Sequence, residues 1–331
     1  MANAIAREMK AILLLMLITI VFASGEGRAA ERQKVPRIGI LLPGHAPPLL
    51  AAFHRGLKKL GYIEGRNFFV EHPYWNYKET RARLPELAAE LVNRKVALIV
   101  AHEPAAVVAA MKATKAIPIV TPDAGSDPVG SGFVTSLAYP AGNVTGLYTG
   151  SKGLAGKRLE LLKEILPSVR RVAFLNPHLQ SVDLNDYKHA AEMLDLDLDV
   201  VDLQTDGDIA PALAELMATP ARLDALVIGH HFLTHRNAIQ IGGFLRKNRI
   251  PAISSHKRYV RLGGLASYGV NLPANWRRAA VFVDKILKGA NPATLPVEPP
   301  QLELVINLRT AEKIGVTIPP EILLEANKII K

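Results

Sequence analysis

Arg37–Leu42 reads RIGILL, Ala97–Ala101 reads ALIVA and Ile117–Thr121 reads IPIVT. Val172–Asn176 (VAFLN), Asp224–Gly229 (DALVIG) and Pro251–Ser254 (PAIS) repeat the form further along the chain. Each is a short, nearly continuous apolar run bounded by turn signals. Such runs suit strands buried on both faces; a strand with one wet face would alternate apolar and polar residues instead. The stretches between them have helical periodicity. In LELLKEIL, for example, Leu159, Leu162, Ile165 and Leu166 fall on one side of a helix. Strand, helix and strand in alternation imply parallel sheets with helices on both faces.

The alternation runs in two series, which agrees with a length of 331 residues, enough for about two domains. The first extends from Val35 to Tyr148 and ends in a Gly- and Pro-rich stretch, Asp123 to Gly150. The second opens with a helix over Ser151–Leu166 and continues to Leu262. Beyond Gly263 and Gly264 come a strand (Leu265–Gly269), a helix (Trp276–Leu287), a Pro-rich segment (Pro292 to Pro300), a last strand (Leu302–Asn307) and two short helices. The expected fold is α/β, with two doubly wound parallel-sheet lobes. Ligands of open parallel sheets sit beyond the carboxyl ends of the strands. Two facing sheets place those ends around one cleft, so the loop after each strand is a site candidate.

The N-terminus has the layout of an export signal. Arg7 and Lys10 precede an apolar run, Ala11–Ala23, and small residues follow, with Ala23-Ser24-Gly25 and Gly27-Arg28-Ala29 as cleavage candidates. The run is shorter than the ~20 residues that span a bilayer. Residues 1–29 therefore read as a cleavable signal peptide and the protein as periplasmic. With no cysteine in the chain, it is not a lipoprotein, and disulfides and thiolate metal sites are excluded. The net charge of +10 is spread along amphipathic helices without a basic run interleaved with aromatics, so nucleic acid is not an expected partner.

Histidines gather at the strand ends. His45, His102, His178, His230, His231 and His256 lie at or just after them, in five loops. Imidazoles there would donate and accept hydrogen bonds, stack on flat rings and, when protonated, attract carboxylates. Gly44 and His45 form the first loop. His102, Glu103 and Ala105 open a helix whose unpaired amides suit a carboxylate. Asp123, Ser126 and Asp127 follow another strand, and Asp127 before Pro128 reads equally as a helix cap. Tyr259 and Tyr268 suit stacking on a flat ligand or packing at a hinge. A sharper alternative is a metal site on His231 and His235, four residues apart. Enzyme signatures are missing: His102-Glu103 is not followed by a zinc-protease histidine, Gly150–Arg158 has the wrong spacing for a phosphate loop, and there is no Gly-x-Ser-x-Gly elbow. The chain therefore reads as a binder without a cofactor.

Several stretches together resemble the ABC-transporter substrate-binding family of the tryptophan/tyrosine type. They include Leu50–Asn67 (LAAFHRGLKKLGYIEGRN), Leu84–Val92 (LPELAAELV), Ser126–Val129 (SDPV), Gly142–Gly146 (GNVTG), Gly263–Tyr268 (GGLASY), Ile286–Ala290 (ILKGA) and Glu303–Thr310 (ELVINLRT). The resemblance implies the type 1 periplasmic binding protein fold with three crossings between lobes. Lobe one would be residues 35–147 plus 265–296, and lobe two residues 148–264 plus 297–331. It also implies a monomer that delivers its ligand to an ABC permease in the inner membrane, and the loop residues point to a small organic, carboxylate-bearing ligand, aromatic or amino-acid-like. Family members that bind amino acids tend to carry small, polar and often acidic residues in the loop where this chain has Gly229-His230-His231. That departure points away from an aromatic amino acid as the ligand, and two other readings stay open: a receptor for a metal or metal chelate, and a sensory module reporting to a membrane kinase.

Overall fold

The computed structural model describes residues 35–44, 46–72, 77–150, 153–177, 182–218, 222–229 and 231–331. The signal-peptide expectation for residues 1–29 and the candidates His45, His178 and His230 lie outside them. The described strands form two sheets. The first has five parallel strands in the order β2-β1-β3-β4-β5: β1 Arg37–Leu41, β2 Phe69–Glu71, β3 Leu98–His102, β4 Ile119–Asp123 and β5 Val144–Gly146. The second has seven in the order β12-β11-β10-β9-β8-β6-β7: β6 Arg171–Pro177, β7 Asp197–Leu203, β8 Ala225–Ile228, β9 Ala252–Ser254, β10 Ala266–Val270, β11 Leu302–Asn307 and β12 Lys328–Ile330. Only the step from β10 to β11 is antiparallel.

The apolar runs form strands because each one feeds two cores. In β3, Leu98 and Val100 pack under the helices Pro47–Lys59 and Leu272–Leu287, while Ile99 and Ala101 pack under Leu84–Asn93 and Pro104–Ala113. In β8, Ala225 and Val227 meet the helices Leu154–Ile165 and Val182–Met193, and Leu226 and Ile228 meet Ile209–Ala218 and Ala238–Asn248. Successive side chains point to opposite faces of a strand. With both faces covered, every position must be apolar.

The chain passes between the sheets three times, and two passages fall later than the resemblance implies. β10 pairs with β9 and β11 and so belongs to the second sheet, not to the lobe of residues 35–147. The crossing comes at Asn271, and the helix Leu272–Leu287 then covers the first sheet. Residues after 296 also stay with the first lobe: Val297 is in its core, Glu298 N donates to Gly146 O and Tyr148 N donates to Glu298 O. Strand pairing sets these limits, and ladder partners are not readable from a single chain's pattern.

Candidate functional site

The crossings join the carboxyl end of one sheet to that of the other. β10 runs directly into Asn271, whose N–H donates to Gln301 O on the third passage. Asn275, fully buried, donates from Nδ2 to Pro122 O at the end of β4 and accepts Gln301 N on Oδ1. One amide side chain thus ties β4 to the connection that leads into β11. The loops after the strands surround this hinge.

On the first lobe, His102 ends β3 beside Asp123, its register partner on β4. The imidazole is 6 % exposed and lies 5.4 Å from the ring of Trp276, itself fully buried. His102 Nδ1 and Trp276 Nε1 have no hydrogen-bond partner within the fold. Glu103 follows with φ 70°, rare for a residue with a side chain. It opens the helix Pro104–Ala113, which has no side-chain cap and in which Ala105 occupies the first turn. The Glu103 carboxylate pairs with Arg81. Asp123 is locked from two sides: its Oδ1 accepts Gly125 N and Thr149 Oγ1. Ser126 and Asp127 are exposed, and Asp127 accepts Gly130 N, which gives it the turn-closing role. Gly44 is buried at the end of the first loop with φ 110°.

On the second lobe two histidines shape loops. His231 caps the helix Phe232–Arg236 by accepting Leu233 N, and His256 caps Lys257–Arg261 by accepting Arg258 N. Each acts through Nδ1, so its proton resides on Nε2. His235 stacks edge-on against His256 at 5.3 Å. No group of three or more His, Cys, Asp or Glu is placed to hold a metal ion among the described residues.

The loop after β9 and the helix Lys257–Arg261 that follows it carry three further buried polar atoms without a partner: Ser255 Oγ, Arg258 Nε and Tyr259 Oη. Tyr259 is 2 % exposed, and burial drives its pKa up to about 12 against the opposing influence of Thr234 and Arg258. The Thr234 hydroxyl shares its one proton between the Gly229 and His231 carbonyls. Native folds rarely leave buried polar atoms unpaired. Five of them flank this hinge, and they supply hydroxyl, guanidinium, imidazole and indole groups. Tyr268 sits apart, packed against the second lobe's core, with its carbonyl accepting Arg158 Nε.

Ser255, Arg258, Trp276, Thr149 and Asn275 did not stand out in the sequence. The β9 loop did carry a signal, since a serine and an arginine next to a strand-end histidine are visible there. Trp276 reads as one more apolar position on an amphipathic helix.

Comparison with known proteins gives a consistent picture. Residues 48–330 match the family described as ABC transporter substrate binding protein. The chain is 27 % identical over 302 residues to a tyrosine-binding protein of Clostridioides difficile (strain R20291), covering 88 % of this chain and 84 % of that one. It superposes on a Streptococcus pneumonia ABC domain solved in complex with L-Trp, with a TM-score of 0.73 and 25 % identity, over 89 % of this chain and 99 % of the other. It superposes equally well, at 27 % identity, on a conserved domain protein from Vibrio cholerae, covering 89 % of this chain and all of that one. With two lobes, a three-stranded hinge and a match over most of its length, the chain belongs to the ABC transporter substrate-binding protein family.

Proposed function

We propose that the protein captures an amino acid with an aromatic side chain between its lobes and hands it to an inner-membrane ABC permease. The observation that carries this reading is the set of unpaired buried polar atoms on both sides of the hinge. Arg258 and Ser255 take the ligand carboxylate, because a guanidinium offers charge-assisted hydrogen bonds that a hydroxyl can supplement. Asp123, held by Gly125 and Thr149, takes the ammonium. His102, Trp276 and Tyr259 present ring faces and polar edges to the side chain, as an aromatic ligand with a polar tip requires. Gly44, Glu103 and Ala105 line the approach. The lobes close on the ligand by movement at the three crossings.

The tyrosine-binding relative and the tryptophan-bound neighbour support the ligand class. The N-terminal signal pattern supports export to the periplasm. Among the described residues, no helix is long and apolar enough to cross a membrane.

The test is thermal unfolding against aromatic amino acids, other carboxylates and divalent metals, each with and without chelator. A ligand at a hundredfold excess over its dissociation constant adds about 2.7 kcal/mol, or roughly 5–10 °C in melting temperature for a lobe of this size. The expected result is a shift with L-tyrosine or L-tryptophan that chelator does not alter. A shift with metal alone, erased by chelator, would replace the amino acid with a metal ligand.

A further inference from the structure

The second lobe has a concavity of about 420 Å³ at the pole opposite the cleft. Gly263 precedes β10, Arg249 precedes β9 and Asn307 ends the reversed β11, so the concavity lies at the amino ends of the parallel strands. Five of its lining residues are cations: Arg246, Arg249, Arg261, Arg309 and Lys313. No carboxylate lines it, and none of the five makes an ion pair among the described residues. Several arginines elsewhere in the chain are neutralised. Arg37 and Arg94 share Glu71, Arg171 pairs with Asp199, and Arg278 grips Glu298 through two bonds of 2.7 Å.

Helix dipoles account for only part of this charge. Three helices end at the concavity, Ala238–Asn248, Lys257–Arg261 and Leu308–Ile314. Each C-terminus supplies roughly half a negative charge, which leaves most of five positive charges unanswered. Arg309 lies in the first turn of its helix, where the dipole repels a cation.

The floor is fixed. Asn307 donates from Nδ2 to Val260 O and accepts Thr310 N, and both side chains are more than nine-tenths buried. Arg246 donates to Leu262 O, and its stem lies where a side chain on Gly263 would be, since a Cβ there would come within 2.5 Å of Arg246 Cγ. Gly263 also has φ 116°. The glycine thus makes room for the arginine at the wall of the concavity.

We propose that this concavity binds a multiply charged phosphate group, carried either by a soluble phosphate compound or by the headgroups of an anionic lipid surface. Phosphate matches the site because planar guanidinium groups bond its oxygens in pairs and several of them share its charge. The proposal is independent of the solute held between the lobes.

The test has two arms on the purified full chain. One titrates inorganic pyrophosphate by calorimetry. The other floats the protein with phosphatidylglycerol-containing vesicles, against pure phosphatidylcholine vesicles. Both are repeated with the exposed double substitution Arg309→Glu and Lys313→Glu, and with Arg309→Gln alone in case the double variant melts early. The expected result is binding in at least one arm, weakened by salt and by about tenfold or more in the variants. Pyrophosphate binding alone assigns a soluble ligand; vesicle binding that exceeds it assigns the headgroups. The proposal is overturned by a wild-type protein that binds neither probe, or by binding that the substitutions leave unchanged.

Discussion

Gly269 on β10 lies against the backbone of the β9 loop. A Cβ at that position would lie 2.1 Å from Ser255 O and 3.0 Å from the Ser255 carbonyl carbon. Ordinary contact begins near 3.4 Å, so Gly269→Ala must push the loop back by about 1 Å. Over-packing of this kind costs about 1–3 kcal/mol, which corresponds to a fall of about 2–12 °C in melting temperature at this lobe size. The displaced loop carries Ser255 and leads directly into the helix of Arg258 and Tyr259. Losing one charge-assisted hydrogen bond there costs about 1.5–3 kcal/mol, a ten- to hundredfold loss of affinity. Thermal unfolding and calorimetric titration with L-tyrosine read both effects. Gly142→Ala serves as the control, because nothing lies within 4 Å of its added methyl. A Gly269→Ala protein that melts within about 1 °C of wild type and binds equally well would refute the reasoning.

Other perturbations separate the hinge, the core and the edge. Asn275→Ala strands Pro122 O in a buried setting and Gln301 N in a partly buried one, and should cost about 2–4 kcal/mol in denaturant unfolding. Arg158 is 5 % exposed and donates to Tyr268 O and Tyr187 Oη, both at 2.8 Å. Arg158→Met should lower stability by about 2–4 kcal/mol, with hydrogen exchange rising first along β10. Glu71, on the short β2, is held below the usual carboxylate range chiefly by its hydrogen bond from Arg94, with Arg37 adding to it. A depressed folded pKa means stability that is present above the unfolded value and lost as pH falls through the folded one. Glu71→Gln should therefore lower stability near neutral pH by about 1 kcal/mol or less, since both arginines are half exposed, and the difference from wild type should vanish in acid.

Much of the fold was legible because doubly buried strands leave no alternative composition. RIGILL, ALIVA and VAFLN each became a strand within a residue or two of the expected limits. Leu302–Asn307 matched at both ends. β7 did not stand out, since DLDVVDL alternates acids with apolar residues and acids are poor strand formers. At the sheet edge Asp197 is exposed, where a charge discourages further pairing, while Asp199 pairs with Arg171 on the adjacent β6. The helix that begins at Leu272 was read as starting at Trp276, because Asn271 as an N-cap shows only when its side chain is seen accepting Ala274 N.

The site was legible as a set of loops and not as a set of atoms. Histidines at strand ends drew notice by number. His231 and His256 turn their Nδ1 atoms to helix caps, a role normally filled by Ser, Thr, Asp or Asn. Asp127 closes a turn, which its place before Pro128 had allowed. Arg258 and Trp276 became visible only through what they lack, a partner for a buried nitrogen. That property depends on contacts between residues far apart in the chain.

Calorimetric titration of L-tyrosine and L-tryptophan into the wild-type protein and into Arg258→Met tests the central claim most directly. The account predicts binding to the wild type that chelator does not alter, and an affinity about tenfold or more weaker in Arg258→Met at an unchanged melting temperature. Failure of both amino acids to bind, or equal binding by Arg258→Met, would contradict it.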